Sequence, residues 1–202
     1  KYTSGIELYI SNFDNETGIL KASHLHTAQD QLRGLKSSKP LIINNFTYDI
    51  NAPKQTYTHT LARFKGYKFY NNFGKLNFQY DFQRNRRFEY DIRRSAYRNL
   101  PSIDLNLKTH SVKFDLFSSL NSNLDMKIGI LGRYQNNYPN PRTGVKRIIP
   151  DYDKFDFGFY SILDYFLNNN LTIESGVRFD YTHMDVFKFY NVSLWNLRNY
   201  DK

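Results

Sequence analysis

Residues 74–83 read GKLNFQYDFQ, and every second side chain in them is apolar: Leu76, Phe78, Tyr80 and Phe82 alternate with Lys75, Asn77, Gln79, Asp81 and Gln83. Successive side chains of an extended chain point to opposite sides, so the stretch predicts a strand with one greasy and one wet face. The same rule, carried outward, finds 171–183, where Leu171, Ile173, Val177, Phe179 and Tyr181 oppose Thr172, Glu174, Gly176, Arg178, Asp180 and Thr182. It also finds 125–134, where Met126, Ile128, Ile130 and Tyr134 oppose Asp125, Lys127, Gly129 and Arg133, with Leu131 as an exception. Shorter matches are Ile6, Leu8 and Ile10, and Val112, Phe114 and Leu116. The stretch 155–165 is interrupted by Tyr160 and Ile162, and 57–64 reads as strand without declaring its faces.

These candidates are connected unevenly. Asn71-Asn72-Phe73, Asn121-Ser122-Asn123 and Asn168-Asn169-Asn170 read as tight turns, because Asn tolerates left-handed backbone angles and bonds its own backbone. The other connections are long: 14–55, 84–102, 135–154 and the trailing 186–202. Short turns alternating with long loops is the layout of an outer-membrane barrel, with its short turns on the periplasmic side.

Composition narrows the class. The 202 residues carry 28 Lys and Arg against 19 Asp and Glu, a net +9, and 17% are aromatic. Disordered chains lack aromatics, so disorder is excluded. No run approaches the roughly 18 apolar residues of a membrane helix, whereas a strand-built membrane protein hides its apolar face in alternation. Cysteine is absent, which removes disulfide frameworks, thiolate metal sites and cysteine nucleophiles.

Periodicity alone leaves open which face meets solvent. A small lipocalin-like barrel would turn the rings inward, and a membrane barrel would turn them to lipid. Strands of about 10 residues, the length of a tilted crossing, aromatic strand ends at Tyr134, Tyr165 and Tyr181, and the unequal loops favour the membrane. The fold expected is therefore all-β: an antiparallel transmembrane β-barrel, or a fragment of one.

The stretches 18–24 (GILKASH), 40–55 (PLIINNFTYDINAPKQ), 74–94, 149–158 and 171–181 resemble TonB-dependent outer-membrane receptors, particularly those of Bacteroidetes-type bacteria. The resemblance implies a location in the outer membrane of a Gram-negative bacterium and a role in active uptake of a scarce ligand such as a ferric siderophore or other metal chelate. Such receptors have barrels of roughly 22 strands, a plug domain and a TonB box. On this expectation 1–202 supply about seven to eight strands from mid-barrel, with plug, TonB box and C-terminal strands lying elsewhere. Implied partners are outer-membrane lipid and lipopolysaccharide, the plug domain, TonB-ExbB-ExbD acting through the plug, and the ligand. No cofactor, metal, enzymatic activity or nucleic-acid partner is expected.

Two sets of residues stand out. Arg84, Arg86, Arg87, Arg93, Arg94 and Arg98, joined by Arg142, Lys146 and Arg147 from the next long loop, would give the barrel mouth a positive field for an anionic chelate. The plainer readings are a rim meeting lipopolysaccharide phosphates, or a solvated loop. Lys75, Asp81, Asp125, Lys127, Arg133, Glu174, Arg178 and Asp180 form the wet faces and are expected to line the lumen and hydrate the plug. The plainer reading is cross-strand charge pairing.

Weaker signals are His24 and His26, too few ligands for a metal site, and Asp151, Asp153 and Asp156, which a strand-initiating turn explains equally well. A short helix is expected over Ser23–Leu35. Competing functions are a small complete barrel with a structural or adhesive role and, more remotely, a basic polyanion-binding β protein.

Overall fold

The computed structural model describes residues 3–19, 27–39, 43, 45–146, 149–168 and 170–187. Seven strands, β1 (Ser4–Gly18), β2 (Lys54–Tyr70), β3 (Gly74–Tyr90), β4 (Ile103–Asn121), β5 (Leu124–Pro139), β6 (Asp151–Asn168) and β7 (Leu171–Phe187), form one antiparallel sheet in sequence order. The sheet is open, with β1 and β7 at its edges. Among the described residues no helix is long and apolar enough to cross a membrane, which says nothing of crossing by strands.

The three short turns lie at one end of the sheet and the three long connections at the other. Asn121 and Asn168 each accept the backbone N–H two residues on through Oδ1, at 2.8 and 2.9 Å, the Asx turn expected of Asn at these positions. Gly74 follows the β2–β3 turn with φ 101°, and a Cβ there would sit 2.0 Å from the Phe117 carbonyl oxygen, so only glycine fits.

Every strand runs further toward the long connections than its apolar alternation does. The connections shrink to 19–53, 91–102 and 140–150, so Arg84, Arg86 and Arg87, expected in a loop, belong to β3. Cross-strand pairing carries the strand on: Arg84 pairs with Thr60 and Lys108, and Arg87 with Tyr57 and Leu105. The first long connection contains α1 (Ala28–Lys36), whose N-cap Thr27 accepts the Asp30 N–H at 3.0 Å. Ser23, His24 and His26 lie outside the described residues.

Register sorts the side chains into two faces, since directly opposed residues of an antiparallel pair share a face. On one face three rows cross all seven strands without Asp, Glu, Lys or Arg. They are Ile6–Gly66–Phe78–Phe114–Ile130–Phe159–Phe179, Leu8–Phe64–Tyr80–Val112–Gly132–Phe157–Tyr181, and Ile10–Ala62–Phe82–His110–Tyr134–Phe155–His183. Leu76, Leu116, Ile128 and Val177 extend this band toward the turns. Nothing described packs on it: Ile6 is 77% exposed, and Phe114 and Ile130 of the central strands are 38% and 40% exposed.

The other face is charged and more enclosed, with Asp81 7% and Asp115 9% exposed. Phe114 and Asp115 are sequence neighbours, and the carboxylate is the buried one. A water-soluble sheet buries its apolar face. This sheet has the opposite sense.

Candidate functional site

The charged face is a ladder of matched signs. Arg63, Lys65, Lys75, Arg87, Lys113, Lys127, Arg133, Lys154 and Arg178 share it with an equal number of acids, Glu7, Asp81, Glu89, Asp115, Asp125, Asp156, Asp164, Glu174 and Asp180. All eight residues expected on the wet faces, Lys75, Asp81, Asp125, Lys127, Arg133, Glu174, Arg178 and Asp180, lie on it. Burial of a carboxylate is tolerable only with cationic and hydrogen-bonding partners, and three acids in the sheet interior have both.

Asp81 receives Arg63 Nε at 2.5 Å on one oxygen and Gln79 Nε2 at 2.6 Å on the other. Asp115 lies 2.9 Å from Lys113 Nζ and accepts the Tyr160 hydroxyl. Asp156 meets Lys154 Nζ at 3.1 Å, Arg133 Nε at 3.2 Å and the Thr182 hydroxyl at 2.7 Å. Toward the edge, Arg178 grips Asp180 through two nitrogens at 2.6 and 2.8 Å. Two lysines of this face lie over rings: Lys75 is 4.9 Å from the Tyr67 ring centre, and Lys127 is 5.0 Å from Phe117 and 5.5 Å from Tyr160.

Tyr160, which interrupts the wet alternation of β6 in sequence, occupies a particular place. It pairs with Gly129 on β5, and its ring lies where a Gly129 side chain would be, with Cε1 2.3 Å from an ideal Cβ. The hydroxyl thereby crosses β5 to reach Asp115 on β4. Sequence alternation alone marked Tyr160 as an error in the pattern. An aromatic opposite a glycine, with an acid one strand further along the row, is the signal that identifies it.

The expected arginine cluster does not assemble as a unit. Arg84 and Arg86 fall on the apolar-band face, Arg84 donating to Asn106 at 3.1 Å and Arg86 lying over Phe88 at 4.6 Å. Arg87 falls on the charged face, donating to Gln55 at 3.1 Å and to Glu89. Alternation divides them because β3 continues through all three. Arg93 holds two connections together: its Nη1 donates to the Thr143 carbonyl at 2.7 Å and to the Pro101 carbonyl at 3.3 Å, and its guanidinium lies 4.9 Å from the Tyr97 ring. Arg94, Arg98, Arg142 and Lys146 are exposed on those connections, and Arg147 lies outside the described residues. The connections are also tied to the sheet, Asn140 donating to Asp104 at 2.8 Å and Asn137 to the Pro150 carbonyl at 2.8 Å.

The acidic trio is divided in the same way. Asp153 lies on the apolar-band face, where it accepts the Tyr134 hydroxyl at 2.6 Å, and Asp156 lies on the charged face. Among the described residues no group of three His, Asp or Glu side chains could hold a metal ion. A pocket of about 290 Å³ lies at the connection end, lined by Ile103, Leu105, Pro139, Val145 and Ile149.

Comparison of the chain with models of known protein families and with curated proteins finds no match.

Proposed function

We propose that the chain is a wall segment of an outer-membrane β-barrel and that the barrel is a receptor of the TonB-dependent kind, taking up a scarce anionic ligand such as a ferric siderophore or other metal chelate. The observation that carries the membrane reading is the sense of burial. Rows free of charge are exposed on one side of the sheet, and paired carboxylates are enclosed on the other. From Leu124 to Tyr134 the band on β5 spans ten residue steps, about 34 Å at ~3.4 Å each, which a tilt of about 45° projects to ~24 Å. The apolar band of a transmembrane barrel is about 25 Å tall.

In this reading the charged ladder faces the lumen. Its acids and bases neutralise one another, so the wall is wet without a net charge that would trap a passing anion. The attraction for an anionic ligand then comes from the long connections, where Arg94, Arg98, Arg142 and Lys146 stand beyond the band. The receptor assignment rests on the resemblance of the stretches at 18–24, 40–55, 74–94, 149–158 and 171–181.

Uptake tests the proposal. Cells carrying the gene should accumulate radiolabelled iron from an anionic chelate, lose accumulation when a protonophore collapses the inner-membrane gradient, and lose it equally when the gene is deleted. Iron accumulation unchanged by deletion across a panel of defined chelates would remove ferric chelates as the ligand. A protein recovered from the aqueous phase without detergent would remove the membrane reading as well.

A further inference from the structure

The arrangement of Tyr160 over Gly129 recurs at the edge of the sheet. Tyr67 on β2 pairs with Gly5 on β1, and its ring lies where a Gly5 side chain would be, with Cε1 2.6 Å and the hydroxyl oxygen 3.0 Å from an ideal Cβ. Both pairs stand in one row of the charged face, which runs from Gly5 and Tyr67 through Asn77 and Asp115 to Gly129 and Tyr160. In each pair the tyrosine leans over the strand before its own. A glycine inside a strand marks close approach by another group, and here that group is the phenol. Tyr160 crosses Gly129 and meets the Asp115 carboxylate on the next strand. Tyr67 crosses Gly5 at the edge strand, and among the described residues its hydroxyl has no hydrogen-bond partner.

The rest of this edge is suited to a further strand. An edge strand presents unpaired backbone N–H and C=O groups, and Ile6, Leu8 and Ile10 are exposed on the band side of β1. On the charged side the one acid of β1, Glu7, lies 3.4 Å from Lys65 Nζ, so β1 has no carboxylate to spare for Tyr67. The opposite edge is built differently: Arg178 and Asp180 of β7 hold each other through two bonds. When a strand adds to an edge, backbone bonds supply affinity and alternate side-chain sites supply selectivity. A hydroxyl donating to a carboxylate is among the stronger of such contacts. A second copy of the chain fits poorly. Glu7 is the only acid its β1 could bring to Gly5, in a register that pairs only Ser4 to Leu8 of a strand of 15 residues.

We infer that Tyr67 and Gly5 form a notch on the edge of β1 that receives an antiparallel strand carrying a carboxylate opposite Gly5 and apolar side chains beside Ile6, Leu8 and Ile10. The inference goes beyond the receptor reading: it needs the sheet and its register, and neither the ligand nor the lipid. The chain has no cysteine, so L8C on the band side supplies its one thiol. The full L8C chain in detergent micelles is equilibrated, in a glutathione buffer, with an extended peptide that carries a cysteine to face position 8 and, three residues further on, an aspartate to face Gly5. The mixed disulfide holds the register, and its equilibrium constant is compared with that of the peptide in which asparagine replaces the aspartate.

The aspartate peptide should be favoured about tenfold, as one hydrogen bond to a charged group implies. Y67F, which keeps the ring and removes the hydroxyl, should abolish the preference, and G5A, which displaces the ring, should abolish it too. Moving the aspartate two residues along the peptide keeps it on the same face but sets it opposite Glu7, and the preference should again be lost. An aspartate preference that persists in Y67F, or that ignores the position of the aspartate, would reduce the effect to overall charge and overturn the notch. Equal capture of the aspartate and asparagine peptides, or capture of neither, would overturn it as well. A chain that links to its own second copy in preference to either peptide would make the edge a homodimer contact and overturn the assignment.

Discussion

The ring of Tyr160 on β6 lies over Gly129 on β5, so close that an added Cβ would be 2.3 Å from Cε1. The glycine is the gap through which one strand's phenol reaches an aspartate two strands away. G129A should displace the ring, break its bond to Asp115 and lower stability by about 1–3 kcal/mol. Y160F should cost about 1–2 kcal/mol, since a hydrogen bond to a charged group is lost and Asp115 keeps Lys113. G132A is the matched control. Nothing lies within 4 Å of a Cβ there, and stability should hold or rise by about 0.5 kcal/mol. Urea titration of the three variants in detergent checks the order.

Legibility of the fold followed the contrast between neighbouring side chains. Strands β3, β5 and β7 alternate apolar with polar, and their faces could be read directly. Beyond Phe82 and Tyr134 both faces turn polar, as in Gln83–Arg84–Asn85–Arg86, so the alternation disappears although the strand continues. That is why Arg84 to Arg87 read as a loop. The faces of β2 were illegible because Thr56, Thr58, Thr60, Ala62 and Gly66 stand where larger apolar residues would mark a band, and only pairing with β1 and β3 assigns them. The eight wet-face residues share one face of the sheet, a grouping legible in sequence because it needs only parity within each strand. Their partners were not legible, since Arg63–Asp81 and Tyr160–Asp115 depend on register between strands.

The Arg63–Asp81 pair offers a direct measure of the ladder. Arg63 is one-third exposed and Asp81 largely buried, so solvent screens part of the attraction. A double-mutant cycle of R63Q and D81N should return a coupling of about 1 kcal/mol. R63Q alone should cost more than D81N alone, because it leaves the buried Asp81 carboxylate with only the neutral donor Gln79, whereas D81N leaves a guanidinium that solvent still reaches. Denaturant midpoints of the four proteins supply the cycle.

Arg93 should govern the two outer connections rather than the sheet. R93Q removes the donor to Thr143 and Pro101, so 91–102 and 140–150 should exchange amide hydrogens and be cleaved by protease together, with β3 to β6 unchanged. R94Q, on an exposed neighbour, should leave exchange in both connections as it was. Hydrogen exchange resolved by peptide distinguishes these outcomes.

The central claim is that the apolar face meets lipid and the charged face does not. Ile130 and Leu131 are adjacent on β5 and point to opposite faces, so the same substitution at each asks the question with everything else constant. In equilibrium refolding of the full chain into phospholipid vesicles, I130R should cost about 2–4 kcal/mol and L131R about 1 kcal/mol or less. Equal costs, or a larger cost for L131R, would contradict the account.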